Sequence, residues 1–547
     1  MKASDLFVRC LENEGVEYVF GVPGEENLDL VESLRGSSIR FVLCRHEQHA
    51  AFMAANHGRL TGKAGVVLST LGPGATNLVT GIAYAQLGGM PLVALTGQKP
   101  ILDNRQGTFQ VIDVCGTFEP LTKWTRSIVS PRTIPRCVRY AFRVAEEERP
   151  GATHLELPED IAGMDVDATA VARPRPRRPV PDDKAVRLAL DMLREARNPL
   201  LLISGGGNRK QVGKQILRFV EQTGAYAVCT QLGKGVLPED HPRSLFCLGI
   251  HKRDHVALAL DRADLVVTVG YDIVEYPPAV WNRGKDKRVL HVDFTPPEPD
   301  EFYDPDLSVV GDIGNSFWRF NEELGPVRYD NAWLEGFRAK VAELLFEHSC
   351  ESRFPLLPQR VVRDVRAVMG REDVISLDNG IYKLWFARLY PAYAENTVLL
   401  DNALATMGAG LAGAMAAKLV HPERRVLAVC GDGGFMMNSQ DLETAVRLGL
   451  DVKVLILRDD AYGFIAWKQQ SEGFPRFAMD FGNPDFVRYA EAYGIPGLRV
   501  TEADGLAPAL ERAFTTAGPV LVECAIDYSA NERLSEDLAA RMEHLLG

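Results

Sequence analysis

No apolar run among the 547 residues approaches the roughly 18 to 20 needed to cross a bilayer, which argues against a membrane-spanning helix. The opening MKASDLFVRC lacks the long apolar core and small-residue cleavage site of a signal peptide. Positive charge is in deficit. A net charge of -12 argues against nucleic acid or an anionic membrane as a general partner, because both need basic surface. Disulfide and zinc frameworks are missing too: the nine cysteines are scattered, odd in number and never spaced C-x-x-C. That pattern suits reduced, mostly buried thiols, so the expected location is cytoplasmic. What is present is ordinary globular composition, 46% hydrophobic and 24% charged, in a chain longer than one core supports. Two to four domains are expected.

Two composition breaks divide the chain. Residues 165–183, DVDATAVARPRPRRPVPDD, are rich in Pro and Arg without periodicity and read as a linker across a surface. A looser break runs from GPVRYDNAW (325–333) to EHSCESRFPLLP (347–358). The expected domains are therefore 1–165, 185–325 and 355–530. In the first, SDLFVRCLENEG predicts a helix capped at Ser4 and stopped at Gly15, with Leu6, Phe7, Cys10 and Leu11 on one face. Short apolar runs then alternate with helical patterns: VEYVFG, FVLCRHE, AGVVLST and PLVALTG, then PLLLIS, AYAVC, ADLVVTVG and KRVLHVD, then DVISL, RRVLAVC, DVKVLILR and PVLVECA. Such alternation indicates an α/β chain of three doubly wound parallel sheets. These sheets bind ligands at the carboxyl ends of their strands, where polar residues should gather.

One such strand end carries the clearest chemistry. RRVLAVC leads into Gly431-Asp432-Gly433-Gly434. A helix capped by Asn438 or Ser439 is expected next, with Leu442, Ala445 and Val446 on one face and Gly449 as its stop. The strand VKVLILR then delivers Asp459, Asp460, Ala461 and Tyr462. Glycines at a strand end let backbone N–H groups approach phosphate oxygens. Asp432 and Asp459 offer hard oxygen ligands to a small dication such as Mg²⁺. A lone GDG is only a tight turn; the strand–GDG–helix–strand–Asp order, with Asp459 27 residues after Asp432, is more specific.

That order and spacing resemble the fingerprint of thiamine diphosphate (ThDP) enzymes of the acetolactate synthase family. The resemblance implies a pyrimidine-binding N-terminal domain, a central domain and a C-terminal domain for the diphosphate and metal. Asp432, Asp459 and the carbonyl of Ala461 would hold Mg²⁺, with Gly431, Gly433 and Gly434 near the diphosphate. The family usually ends this motif with paired asparagines; here Arg458-Asp459 stands in their place. RHEQHAAFMA resembles the segment of the activating glutamate. Glu47, by itself a helix-start carboxylate, would then bond the cofactor's pyrimidine N1′ from a low-polarity setting that raises its pKa. In DNALATMGAGLAGAMAA, Met407 matches the residue that wedges the cofactor into a bent form, and the Ala405 carbonyl matches the acceptor of its amino group. On composition alone Met407 fits a Gly/Ala-rich core helix equally well.

The resemblance covers nearly the whole chain. Phe109 and Gln110 match substrate-pocket residues of biosynthetic members and Lys123 matches a family Thr-Lys, whereas GYDIVEYPPAVWN and the tail resemble catabolic members. The Arg-Phe-Asp-Asp-Arg run of FAD-binding members is missing, which argues against FAD, and SGGGN at 204–208 reads as packing. Three departures stand out. Glu25 and Glu26 replace a neighbourhood that carries a Lys in catabolic members, and would repel an incoming 2-oxo acid unless neutralised. Ile381 and Tyr382 replace polar groups near the diphosphate. Phe464 and Lys468 alter the acceptor pocket, where Lys468 could restore positive charge.

The implied activity is decarboxylation of pyruvate and joining of the two-carbon unit to a second 2-oxo acid, giving 2-acetolactate. Glu47, Phe109 and Gln110 are the catalytic candidates. Alternatives are a ThDP carboligase or decarboxylase for another 2-oxo acid and a non-catalytic paralogue. There is no His-His pair of the pyruvate decarboxylase kind, since Glu47 lies between His46 and Gln48. A homodimer or homotetramer is implied, with the active site at the subunit interface.

Overall fold

The computed structural model describes residues 1–103, 107–174, 178–208, 212–249, 254 and 256–534; residues 175–177 of the expected linker lie outside them. The chain forms two compact units, one of residues 1–176, 403–428 and 434–452, the other of 177–402, 429–433 and 453 onward.

The first unit holds a six-stranded parallel sheet in the order β2-β1-β3-β4-β6-β5. Its strands are β1 (Tyr18–Gly21), β2 (Arg40–Leu43), β3 (Gly65–Ser69), β4 (Leu92–Gln98), β5 (Trp124–Ser127) and β6 (Ala152–Pro158). Leu6, Phe7, Leu11, Val66, Val93 and Leu155 share one buried cluster against it, each large side chain contributing about 1.5–3 kcal/mol on burial. The first helix runs Ala3–Glu14 and ends at Gly15, whose φ of 79° supplies the left-handed cap. Its start differs from expectation. Lys2 precedes it without a side-chain cap, while Ser4 lies fully buried inside the helix and accepts from Ser33 Oγ at 2.9 Å. Arg173 donates to the Glu14 carbonyl and to Glu146, tying the Pro-rich segment to this unit.

The second unit holds two more parallel sheets. One comprises β7 (Pro199–Ile203), β8 (Tyr226–Cys229), β9 (Ser244–Cys247), β10 (Leu265–Val269), β11 (Val289–Asp293) and β12 (Leu307–Val310), ordered β12-β11-β10-β7-β8-β9. The other comprises β13 (Val374–Leu377), β14 (Val398–Leu399), β15 (Val426–Gly431), β16 (Lys453–Arg458), β17 (Gly497–Val500) and β18 (Val520–Ala525), ordered β14-β13-β15-β16-β18-β17. Each sheet has a switch point where strands wind away in opposite directions, at β1/β3, β7/β10 and β13/β15; in the first and third sheets the last strand also turns back inside the edge strand before it. At such a point the connections leave in opposite directions and open a crevice beyond the carboxyl ends. No helix among the described residues is long and apolar enough to cross a membrane.

Candidate functional site

At the β13/β15 switch point the chain leaves β15 directly into a helix, Asp432–Asn438. This corrects the expected loop: the helix starts at Asp432, a 3₁₀ turn (Ser439–Asp441) follows, and only then Leu442–Arg447. Asn438 is not a side-chain cap for that turn; it donates to the Gly408 carbonyl at 3.1 Å. Leu442 and Ala445 are buried as expected, but Val446 is exposed, and Gly449 ends the helix at φ 62°. Aromatic rings lie close against Gly431 and Gly433, tightest at 431. A Cβ at 431 would sit 2.9 Å from Tyr382 Cε1, and one at 433 would sit 3.0 Å from Tyr462 Cε1.

The Asp432 carboxylate is 1% exposed and accepts from Gly433 N at 2.9 Å, Asp460 N at 2.8 Å and Asn483 Nδ2 at 2.8 Å. Asn483 also donates to Asp460 Oδ1 at 2.7 Å, and Arg458 Nε to the same oxygen at 2.8 Å. Asp460 takes a left-handed φ of 54°, which turns its N–H toward Asp432. Asp459 is pushed up to about 8, first by burial and then by the Asp432 charge beside it. Asp432 is raised as well, again by burial first, although the donated N–H groups oppose the rise. Two carboxylates are thus held together at an electrostatic cost. Asn483 had no signal in the sequence; only the fold brings it here.

Lys383 was equally unexpected. It lies on the helix Ile381–Leu389 beyond β13, 6% exposed, and donates to Asn379 Oδ1 at 2.7 Å, the Asp401 carbonyl at 2.8 Å and Asn402 Oδ1 at 2.9 Å. Burial lowers its pKa to about 8 against the raising effect of Asp401, Asp378 and Glu275. The Asn379–Lys383 spacing of four at a helix start was the available clue. Replacing Lys383 with Met removes the shared donor of three acceptors, two of them on buried residues. A lower urea midpoint is expected, worth about 2–3 kcal/mol of stability.

In the first unit, side chains from three strand ends converge at the β1/β3 switch point. Glu26, 3% exposed, follows β1; its Oε2 accepts from Thr70 Oγ1 at 2.7 Å, and its Oε1 lies 2.6 Å from Lys99 Nζ. Burial alone would raise Glu26, but Lys99 and Thr70 outweigh it and hold it below its usual value. The expected repulsion from two bare carboxylates is therefore halved: Glu26 is neutralised, while Glu25 is exposed. β2 ends at Leu43, short of Glu47, which opens the helix Glu47–Thr61. Glu47 Oε2 accepts from Asn77 Nδ2 at 2.9 Å, and its Oε1 lies over Gly74, where a Cβ would come within 3.3 Å. In the single chain Glu47 is half-buried, not enclosed in the apolar setting expected of it. Gln110 adopts a φ of 60° and is exposed, and Phe109 is 73% exposed. Lys123 serves structure: it donates to the carbonyls of Glu147 and Arg149.

Met407 is half-buried in a turn before the helix Gly410–Val420, so the core-helix reading fails. Ala405 is exposed with a φ of 54°. In the second unit, Ala461 is buried and bridges Asp480, while Phe464 and Lys468 lie on the helix Gly463–Ser471, half-buried and exposed respectively. The structure thus gathers Gly431, Asp432, Gly433, Asp459 and Ala461 in the second unit, and Glu26 and Glu47 at the strand ends of the first. Gly434, Ala405 and Met407 belong to the first unit.

Comparison with known proteins places Ala405, Met407 and residues 431–434, 459 and 461 in a single matched domain. Residues 1–117 match the model described as "Thiamine pyrophosphate enzyme, N-terminal TPP binding domain", 186–320 the corresponding central domain and 378–524 the C-terminal TPP binding domain. The chain is 33% identical over 546 residues to an acetolactate synthase of Bacillus subtilis, covering 98% of this chain and 95% of that protein. It is 34% identical over 544 residues to a catabolic acetolactate synthase of Raoultella terrigena, covering 98% and 97%. A putative thiamine pyrophosphate-containing protein, YdaP of Bacillus subtilis, is 31% identical over 538 residues, covering 96% and 91%. Three thiamine pyrophosphate enzyme domains on three parallel α/β sheets, with near full-length relatives, make this chain a thiamine diphosphate-dependent enzyme of the acetolactate synthase family.

Proposed function

We propose that the enzyme decarboxylates pyruvate and joins the two-carbon unit to a second pyruvate, giving 2-acetolactate. The observation that carries this reading is the Asp432–Asp459 pair at the carboxyl ends of β15 and β16, in a chain similar to acetolactate synthases over nearly its whole length. The donor set fits a dication: two hard carboxylates that repel each other gain from a shared Mg²⁺. Asp432, Asp459 and the Ala461 carbonyl would hold it, with Gly431, Gly433 and Gly434 presenting backbone to the diphosphate. Asp460 N and Asn483 fix the Asp432 carboxylate so that its position costs nothing to organise.

ThDP, when bound, supplies the electron sink for decarboxylation. The chain's own tasks follow from its residues. Glu47, anchored on one oxygen by Asn77, keeps the other for the pyrimidine N1′, where it shares a proton. Met407 would support the bent form of the cofactor, and the Ala405 carbonyl would accept from its amino group. Phe109 and Gln110 of the first unit, and Phe464 and Lys468 of the second, are each candidates for substrate contact, and the Glu26–Lys99 pair spares the substrate's carboxylate a buried negative charge. The exposed Glu25 favours a second reading, a different 2-oxo acid. Comparing kcat/KM for pyruvate with those for larger 2-oxo acids tests this; a larger value for any other acid contradicts the pyruvate assignment.

Leu102 at 96%, Phe109 at 73% and Phe477 at 78% exposure leave apolar surface at these loops, which supports a homodimer or homotetramer that completes the site and encloses Glu47. Domains at 1–165, 185–325 and 355–530 remain our assignment. The β7/β10 crevice supports the absence of FAD. Gly206 N bonds the Gly270 carbonyl at 2.9 Å, and the Glu275 carboxylate accepts from Ser204, Thr230 and Leu232 N, so the polar groups of these strand ends bond one another.

Metal affinity should depend on pH in a set direction. Asp459 binds a proton up to about pH 8 in the metal-free chain, and Mg²⁺ must displace it. Apparent Mg²⁺ affinity, read by calorimetric titration with ThDP present, should rise about tenfold per pH unit below 8 and level off above it. The same raised value means that the metal-free chain loses stability as pH rises from the ordinary carboxylate range through about 8.

A further inference from the structure

The second unit contains a cavity of about 440 Å³ that none of this chemistry uses. It lies between the end of the helix Ala332–Leu345, the helix Pro358–Val368 and the segment after Leu389, with Phe346, Val362, Leu389 and Tyr393 forming apolar wall. Arg371, also in the wall, stands three residues before β13, so the cavity is at the amino end of that strand. Asp432 and Asp459 follow the carboxyl ends of β15 and β16 in the same parallel sheet. The two sites are therefore on opposite edges of one sheet.

Three arginines line it. Arg371 is paired with Asp240. Arg366 is fixed between the rings of Tyr390 and Tyr393, 4.6 and 4.8 Å from their centroids, and donates to the carbonyls of Met369, Gly370 and Pro391. Arg363 is exposed and donates to the Ser349 carbonyl at 3.2 Å. Among the described residues no carboxylate lies within ion-pair distance of Arg363 or Arg366; the neighbouring Asp364 pairs with Arg360 at 2.8 Å. Gln359, on the same wall, is 5% exposed, and its Oε1 has no hydrogen-bond partner. Buried polar atoms seldom stay unpaired. The volume falls in the range of small-molecule sites, and uncompensated guanidinium charge in a chain of net charge -12 marks a local preference for an anion.

We propose that this cavity binds a small monocarboxylate with an apolar body and a hydrogen-bond donor. The carboxylate meets Arg363 in the field of the fixed Arg366, the body lies against Phe346, Val362 and Leu389, and the donor turns toward the Gln359 carboxamide. The proposal does not depend on the carboligase reading.

Calorimetric titration of the full chain, loaded with ThDP and Mg²⁺, with 4-hydroxyphenylacetate as probe tests it. Submillimolar binding is expected, about tenfold weaker for phenylacetate, which lacks the donor, and none for tyramine, which lacks the carboxylate. Arg363→Met and Ala367→Trp, both at exposed positions of the lining, should each weaken the probe by about tenfold or more. Unchanged melting curves for both variants keep the comparison one of binding. No binding of the probe, equal binding of tyramine, or binding that survives both substitutions would overturn the proposal.

Discussion

Replacing Glu47 with Gln should lower kcat on pyruvate by about 10²–10⁴-fold while leaving ThDP binding nearly unchanged. The reasoning rests on geometry. Glu47 begins the helix Glu47–Thr61, Asn77 donates to its Oε2, and Gly74 leaves room beside its Oε1. The amide keeps the size and the helix but cannot share a proton with the pyrimidine nitrogen. A structural helix-start carboxylate would behave differently, because its loss costs some stability and little turnover. Single-turnover kinetics and calorimetric ThDP titration on the same preparation separate the two roles. Near-normal kcat in the variant would remove Glu47 from the mechanism.

The second large effect concerns the metal, and its asymmetry is the informative part. Asp432→Asn loses an acceptor that holds Gly433 N, Asp460 N and Asn483 together and removes a charged ligand. Mg²⁺ affinity should fall more than about 100-fold, and ThDP retention with it. Asp459→Asn should be far milder, since related enzymes carry asparagine at this ligand position. It also removes the carboxyl that burial first, and the Asp432 charge second, push up to about 8. The rise of Mg²⁺ affinity with pH should then flatten. Asn483→Ala, which unfastens Asp432 without touching the metal, should cost about 10–100-fold. Equal losses for Asp432→Asn and Asp459→Asn would show that the pair is not the metal site as assigned.

Apart from the edge strand β2, the strands visible in the sequence are those whose apolar runs are buried in the middle of a sheet, such as Val426–Cys430 and Val454–Leu457. The unforeseen ones are mostly edges. β5, β9, β12, β14 and β17 are two to four residues long and each closes one side of its sheet, where a short segment leaves little periodic signal. β6 was hidden for another reason. It is central and fully buried, yet it carries His154 and Glu156, which are satisfied across the sheet by Thr96 and Gln98. A buried polar pair looks like a surface pattern until its partner is known.

The site divides in the same way. Asp432 and Asp459 were legible because strand order and spacing are local. The helix beginning at Asp432 was not, since glycines disfavour helix and only the rings of Tyr382 and Tyr462 against Gly431 and Gly433 explain the packing. Asn483, Lys383 and the neutralising Lys99 act through contacts between distant segments, which a single sequence does not record.

The central claim is that two pyruvates become one acetolactate and one CO₂ under ThDP and Mg²⁺. Incubating the enzyme with pyruvate, with and without each cofactor, and quantifying CO₂ beside acetolactate (as acetoin after acidification) tests it directly. Equal amounts of the two products, dependent on both cofactors, are predicted. CO₂ matched by acetaldehyde, or no turnover of pyruvate at all, would contradict it.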